Sequence, residues 1–231
     1  MKYELILLAA GQGKRMQLGQ NKMWLELSGN VLFIHTIRTF LEDAACCRLV
    51  VVAQEDELDY VRDMLAELHV QKEVLIVAGG SERQYSVAKG LAACGQKADF
   101  VMVHDGARPF VDQAMIDRLL ADVAVHGATI CGVPVKDTMK RVRDGVIEET
   151  IDRSVLWQVQ TPQVFRTEIL QRAHEIAKQA KFLGTDEASL VERMGVAVHM
   201  VEGSYNNIKV TTPEDIAFAE AILQEKWRNR V

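Results

Sequence analysis

Short apolar runs alternate with helically periodic stretches through the first two-thirds of the chain. This alternation restricts the fold more than any other feature. The runs Leu5–Ala9, Leu49–Ala53, Glu73–Val77, Phe100–His104 and Thr129–Val135 have strand length. Between them, Val31–Leu41, Leu58–Leu68, Tyr85–Ala93 and Met115–Val125 carry apolar residues at helical spacing. Strands this apolar must be covered on both faces, so the pattern predicts βαβ units in a mostly parallel sheet. Crossovers in such sheets are right-handed, and ligands bind beyond the carboxyl ends of the strands. Function is therefore sought in the loops at those ends.

The pattern changes at residues 136–155, where charges alternate with isolated apolar residues around Asp144-Gly145. That pair is a hairpin signal. The segment has too little apolar content for core, so it predicts a projecting two-stranded arm that needs a surface to pack against. The chain then returns through "LWQVQTPQVF" to a helix at Thr167–Gln179. A last helix starts with Thr212 as N-cap, Pro213 in the first turn and Glu214–Asp215 favouring the dipole. At 231 residues the reading is one α/β domain, 1–231, with helices on both faces of the sheet and the arm projecting from it.

The strand-end loops concentrate glycine and charge: "AAGQGKRM", "AGGSERQYS", "HDGARPF" and "PVKDTMKRV". The first lacks the Gly-Lys-Ser/Thr of a Walker A loop, and Met16 replaces the third glycine of a dinucleotide fingerprint. It leaves Gly-x-Gly-Lys-Arg with Lys22 shortly beyond. Glycines let backbone N–H groups approach an anion, and Arg15 and Lys22 add full charges. A tight turn with two solvated basic side chains fits the loop equally well; its place at a strand end favours phosphate. In "HDGARPF", Asp105 suits a divalent cation or a ribose hydroxyl, and Arg108 suits a phosphate or a brace for Asp105. A structural Asp–Arg pair capping the next helix is the plain alternative, and His104 reads as a packed strand-end residue.

Other chemistries find no support. There is no G-x-S-x-G elbow, His174-Glu175 is followed by Lys178 where a zincin needs its second histidine, and the six histidines show no metal spacing. A net charge of −5 argues against a broad nucleic-acid or anionic-membrane surface. Cys46, Cys47, Cys94 and Cys131 have no C-x-x-C spacing, which predicts reduced thiols in a cytoplasmic protein. "LILLAA" after Lys2 imitates a signal peptide, but Glu4 interrupts it, and no run reaches the length of a membrane span. Cations, glycines and one or two carboxylates are parts for phosphoryl or nucleotidyl transfer.

Together with the opening motif, "GGSERQYSV", "HDGARPF", "VKDT", "RSVLWQVQTPQVF", "TDEASLVE" and "NNIKVTTPED" resemble the 2-C-methyl-D-erythritol 4-phosphate cytidylyltransferase family of the non-mevalonate isoprenoid pathway. The resemblance runs from Leu5 to the final helix. It implies a Rossmann-like nucleotidyltransferase fold in which Ala9, Ala10, Gly11 and Gly13, with Arg15 and Lys22, wrap the triphosphate of CTP. It further implies that Gly80 and Ser86 read the cytosine. Asp105, Gly106 and Arg108 lie on the ribose and metal side, with Asp105 a candidate ligand for Mg²⁺ that the phosphates mainly hold. Lys209 reaches the α-phosphate, and Thr138, Arg153 and Thr161 bind the sugar-alcohol phosphate. The arm then crosses to a second subunit of a homodimer. Ser81 stands where the family often has an acidic residue.

The same resemblance implies the reaction. The acceptor phosphate attacks the α-phosphorus of CTP, pyrophosphate leaves, and Arg15, Lys22 and Lys209 stabilise the added charge. Ribitol 5-phosphate cytidylyltransferases share the glycine loop, Asp-x-x-Arg and "NIK", but "RSVLW" and "TDEASLVE" favour methylerythritol. A non-catalytic nucleotide sensor on the same fold is the rival from another class. Retention of Lys22 and Lys209 argues against it. An interaction module built around the arm would leave the phosphate-ready loops without a task.

Overall fold

The computed structural model describes residues 1–11, 21–95 and 97–228. A seven-stranded sheet has the order β11-β7-β10-β6-β1-β4-β5. Its expected strands are β1 (Tyr3–Leu8), β4 (Cys46–Ala53), β5 (Glu73–Ala78), β6 (Phe100–Asp105) and β7 (Ala128–Pro134). Between them run α1 (Leu32–Glu42), α2 (Leu58–Glu67), α3 (Arg83–Ala93) and α4 (Gln113–His126), each close to its sequence expectation. A small ribbon of β2 (Glu26–Leu27) and β3 (Asn30–Val31) precedes α1.

Strand alternation divides the core between the two faces of the sheet. Leu5, Leu7, Leu49 and Val51 pack with Phe33, Ile37, Val61, Met115 and Leu119 on one side. Ile6, Val50, Val52, Val101 and Val103 pack with Val87, Leu91, Leu170 and Ala173 on the other. No helix among the described residues is long and apolar enough to cross a membrane.

Besides the small β2–β3 ribbon, two strands of the central sheet were not expected. "LWQVQTPQVF" is more than a return path: β10 (Trp157–Arg166) inserts antiparallel between β6 and β7. Its glutamines and Pro162 disguise it, since proline removes a ladder donor and ordinarily argues against a central strand. The ladder to β7 accommodates it with a register shift between Val159 and Gln163. At the edge, β11 (His199–Glu202) is too short to announce itself and pairs in parallel with β7.

The arm is present as β8 (Met139–Arg143) and β9 (Val146–Ile151). Asp144 and Gly145 both take positive φ, 49° and 80°, as a tight hairpin turn of matching twist requires. Every residue of β8 and all but the last of β9 are exposed. The remaining helices are α5 (Thr167–Gln179), α6 (Glu187–Arg193) and α7 (Pro213–Arg228). At the start of α7, Asp215 Oδ2 accepts from the N–H groups of Thr211 and Thr212, at 2.7 and 2.9 Å, which closes the expected cap.

Candidate active site

In register, Leu8 lies opposite both Val52 and Asp105, and Ala53 opposite Ala78, so four parallel strands end level with one another. Beyond those ends lies a cleft of about 380 Å³. Ala10 and Gly11 reach it from β1, Gly80 to Arg83 from β5, Asp105 and Ala107 from β6, and Lys209 and Thr211 from the segment before α7. Lys22 and Ser86 complete the expected part of the wall.

The second glycine loop is pinned onto α3. The Gly80 N–H donates to Ser86 Oγ at 3.0 Å, and Ser86 Oγ donates to Glu82 O at 3.1 Å. A Cβ on Gly80 would lie 2.5 Å from Tyr85 Cβ, so only glycine lets this backbone come so close to the helix. The Lys22 turn is tied to β1 instead. Asn21 Nδ2 donates to Ala9 O at 3.0 Å and to Glu57 Oε2 at 2.8 Å, while Lys22 Nζ donates to Val210 O at 2.9 Å.

Charges alternate along the inner wall. Lys209 Nζ lies 2.6 Å from Asp105 Oδ2, Arg83 reaches Asp105 Oδ1 at 3.2 Å, and Arg83 Nη1 lies 2.6 Å from Glu187 Oε2. Burial works against the charge on Asp105, but Arg83 and Lys209 outweigh it and hold the carboxyl well below the usual range. Burial raises Glu187, with Arg83 partly offsetting it. Arg83 is raised despite burial, because two carboxylates face it. A polyanion entering the cleft competes with Asp105 for Lys209 and meets Lys22 on the same wall.

His104 takes no part as a base. It is fully buried, burial lowers its pKa to about 4, and its nitrogens lie 3.0 Å from Arg108 O and 3.1 Å from Thr161 Oγ1. Thr161 in turn accepts from the Asp105 N–H at 3.0 Å, so it supports the strand end from behind and does not line the cleft. Ala9 is buried, and its N–H donates to Val52 O at 2.7 Å. The Gly106 N–H donates to Leu8 O at 2.9 Å. Arg108 Nη1 donates to Asn207 O at 2.7 Å, steadying the segment that carries Lys209, and its charge also helps keep Asp105 ionised. Gly13 and Arg15 lie outside the described residues.

Thr138 and Arg153 are exposed and do not line the cleft; Arg153 Nη1 donates to Lys136 O at the base of the arm. The structure therefore gathers Ala10, Gly11, Lys22, Gly80, Ser86, Asp105 and Lys209, and leaves the two arm residues apart. Arg83 and Glu187 were not singled out from sequence, although both stand inside quoted motifs, "GGSERQYSV" and "TDEASLVE". A half-buried arginine between two carboxylates becomes visible only when β6 and α6 meet.

One carboxylate facing a phosphate-sized cleft fits an Mg²⁺ ion that arrives with its nucleotide, since Mg²⁺ takes one or two carboxylates plus substrate phosphates. Each carboxylate oxygen offers two acceptor positions, so Asp105 keeps capacity beside its two cations.

Residues 3–225 match the pattern of the family described as 2-C-methyl-D-erythritol 4-phosphate cytidylyltransferase. A protein of that name from Bacillus velezensis is 49% identical over 230 residues, covering 99% of each chain. Its counterpart from Geobacillus kaustophilus is 50% identical over 226 residues, 98% of this chain and 99% of that one. Among solved structures, 4-diphosphocytidyl-2C-methyl-D-erythritol synthase from Anaerococcus prevotii superposes with a TM-score of 0.86 at 30% identity, covering 96% of both chains. The Thermus thermophilus 2-C-methyl-D-erythritol 4-phosphate cytidylyltransferase gives 0.80 at 30% identity, covering 97% of this chain and all of that one, 100%.

Proposed function

The chain belongs to the 2-C-methyl-D-erythritol 4-phosphate cytidylyltransferase family, and on that premise we propose that it transfers the CMP moiety of CTP to 2-C-methyl-D-erythritol 4-phosphate. The products are 4-diphosphocytidyl-2-C-methyl-D-erythritol and pyrophosphate, in isoprenoid precursor synthesis. The observation that carries this reading is a strand-end cleft lined by Lys22, Arg83 and Lys209, with the strand-end histidine, His104, buried and locked in packing. The acceptor needs no base: a phosphate monoester with a second pKa near ~6 is already largely dianionic at neutral pH.

The backbone at Ala10 and Gly11, with Gly13 and Arg15, receives the triphosphate, while Gly80 and Ser86 face the base. Lys22 and Lys209 bracket the α-phosphorus and stabilise the charge that grows there in the transition state. Lys209 leaves Asp105 to do so, and Arg83 keeps Asp105 charged and in place. Asp105, with the substrate phosphates, would hold Mg²⁺, whose charge would offset the repulsion between the two anions.

Thr138 and Arg153 serve the acceptor of a neighbouring subunit in a homodimer. The support is apolar surface on and beside the arm that this chain leaves uncovered: Val142 is 54% exposed, Val146 67%, Ile147 59% and Val155 73%. The four free cysteines suit the cytoplasm.

Pyrophosphate release tests the activity. With CTP and Mg²⁺, methylerythritol 4-phosphate should release it far faster than ribitol 5-phosphate. The reverse preference would assign the chain to the ribitol reaction, and no release with either would leave a nucleotide sensor.

A further inference from the structure

At the β11 edge of the sheet, by the amino ends of β7 and β11, three side chains that the transfer reaction does not use converge. Asp122 and His126 are one turn apart on the last two turns of α4, so they share a face. Gly127 caps that helix in the left-handed region, φ 82°, and reverses the chain directly into β7. The second residue of β7, Thr129, pairs in register with His199, the first residue of β11. A helix end, a tight reversal and an edge strand thus bring His199 beside His126.

One ligand atom from each of Asp122, His126 and His199 lies within 4.8 Å of the others. His126 Nδ1 is 3.2 Å from Asp122 Oδ2, and the two imidazole rings stack with centroids 3.5 Å apart and planes within 8°. Thr129 Oγ1 donates to Asp122 Oδ2 at 2.6 Å, which fixes the carboxylate from behind. An exposed ion pair at a helix C-terminus would account for His126 and Asp122 but gives His199 nothing to do.

We propose that Asp122, His126 and His199 form a binding site for one divalent transition-metal ion, with Zn²⁺ the best-matched species. Two imidazoles and a carboxylate are borderline ligands of the kind zinc takes, whereas Mg²⁺ and Ca²⁺ want mostly oxygen. Tetrahedral ligands at about 2.0–2.1 Å from zinc stand roughly 3.4 Å apart, so the two stacked rings must turn out of their parallel arrangement for their nitrogens to converge on the ion. His126 is 34% exposed, which leaves a fourth position open to solvent. The site joins α4 to the sheet edge. Sequence spacing missed it because His126 and His199 are far apart in the chain and meet only through the β7–β11 pairing.

The test is calorimetric titration of the full-length, nucleotide-free protein with ZnCl₂, repeated with Co²⁺ while visible absorption is followed. One equivalent should bind, with the visible bands of a low-symmetry cobalt site. His126→Ala and His199→Ala should each weaken binding at least ~10-fold, while Asp105→Asn and Cys47→Ser leave it unchanged. Cytidylyl transfer by the two histidine variants should match wild type. Unchanged zinc affinity in the His126→Ala, His199→Ala double variant would overturn the site, as would loss of binding in Asp105→Asn or Cys47→Ser. Should a histidine variant fail to fold, imidazole resonances of wild type serve instead. Two of the six histidines, assigned with His126→Gln and His199→Gln, must shift together at one equivalent; shifts confined to other histidines would refute the proposal.

Discussion

Lys22 is buried, and its ammonium donates to Val210 O, a contact that aims it across the cleft before any nucleotide arrives. A cation held this way contributes most where negative charge increases, at the α-phosphorus in the transition state. Lys22→Ala should therefore lower turnover at least ~10²-fold while CTP affinity changes much less, by analogy with loss of one oxyanion donor. Turnover and calorimetric CTP binding check this; unchanged turnover with weakened CTP binding would make Lys22 a ground-state contact. His104 and His174 act at the same scale on stability. Burial lowers both to about 4, against about 6.5 for the unfolded chain. Between those values the unfolded state binds the extra protons, so stability is complete above about pH 6.5 and is lost as pH falls toward 4. Together they should steepen stability by up to roughly 3 kcal/mol per pH unit near pH 5. His174→Leu should remove about half of that slope, read from urea midpoints between pH 5 and 7. An unchanged slope would show that His174 does not titrate as burial requires. Among the described residues the Nε2 of His174 has no hydrogen-bond partner, so the substitution breaks no bond there.

At the scale of elements, strands and helices with one dominant period were legible. Leu49–Ala53 and Met115–Val125 announced themselves because each satisfies one face rule throughout. β10 did not, because its apolar residues are broken by Gln158, Gln160, Gln163 and Pro162; Gln160 and Gln163 are buried yet polar, and their side chains serve hydrogen bonds. The arm was legible for the opposite reason: it has no buried face to build, and Asp144-Gly145 marks its turn. An element left this exposed by its own chain is expected to pack on another. Replacing residues 139–151 with a short Gly-Ser link should leave the thermal midpoint of the central sheet nearly unchanged and yield a monomer by sedimentation velocity. A dimer that survives the excision would place the interface elsewhere.

For the whole molecule, the parallel order told where the site must lie, and the glycine loops told what it holds. The chain alone did not reveal the Lys209–Asp105–Arg83–Glu187 array, because its members come from four places that only the folded sheet brings together. Nor does one chain bring Arg153 to its own cleft. If the arm completes a neighbour's site, Lys22→Ala and Arg153→Ala chains refolded together should form mixed dimers with one doubly damaged and one intact site. With random exchange about a quarter of all sites are then intact. Activity should return on mixing two impaired proteins, and its absence after verified exchange would assign the arm to its own chain.

Beneath these predictions lies the claim that the acceptor phosphate itself attacks the α-phosphorus of CTP. Methylerythritol 4-phosphate carrying ¹⁸O in its three terminal phosphate oxygens tests it, with ³¹P NMR and mass spectrometry of both products. All three labels should remain in the diphosphate product, one of them bridging, and the pyrophosphate should carry none. Label in the pyrophosphate, or release of unlabelled CMP with the acceptor unchanged, would contradict the mechanism.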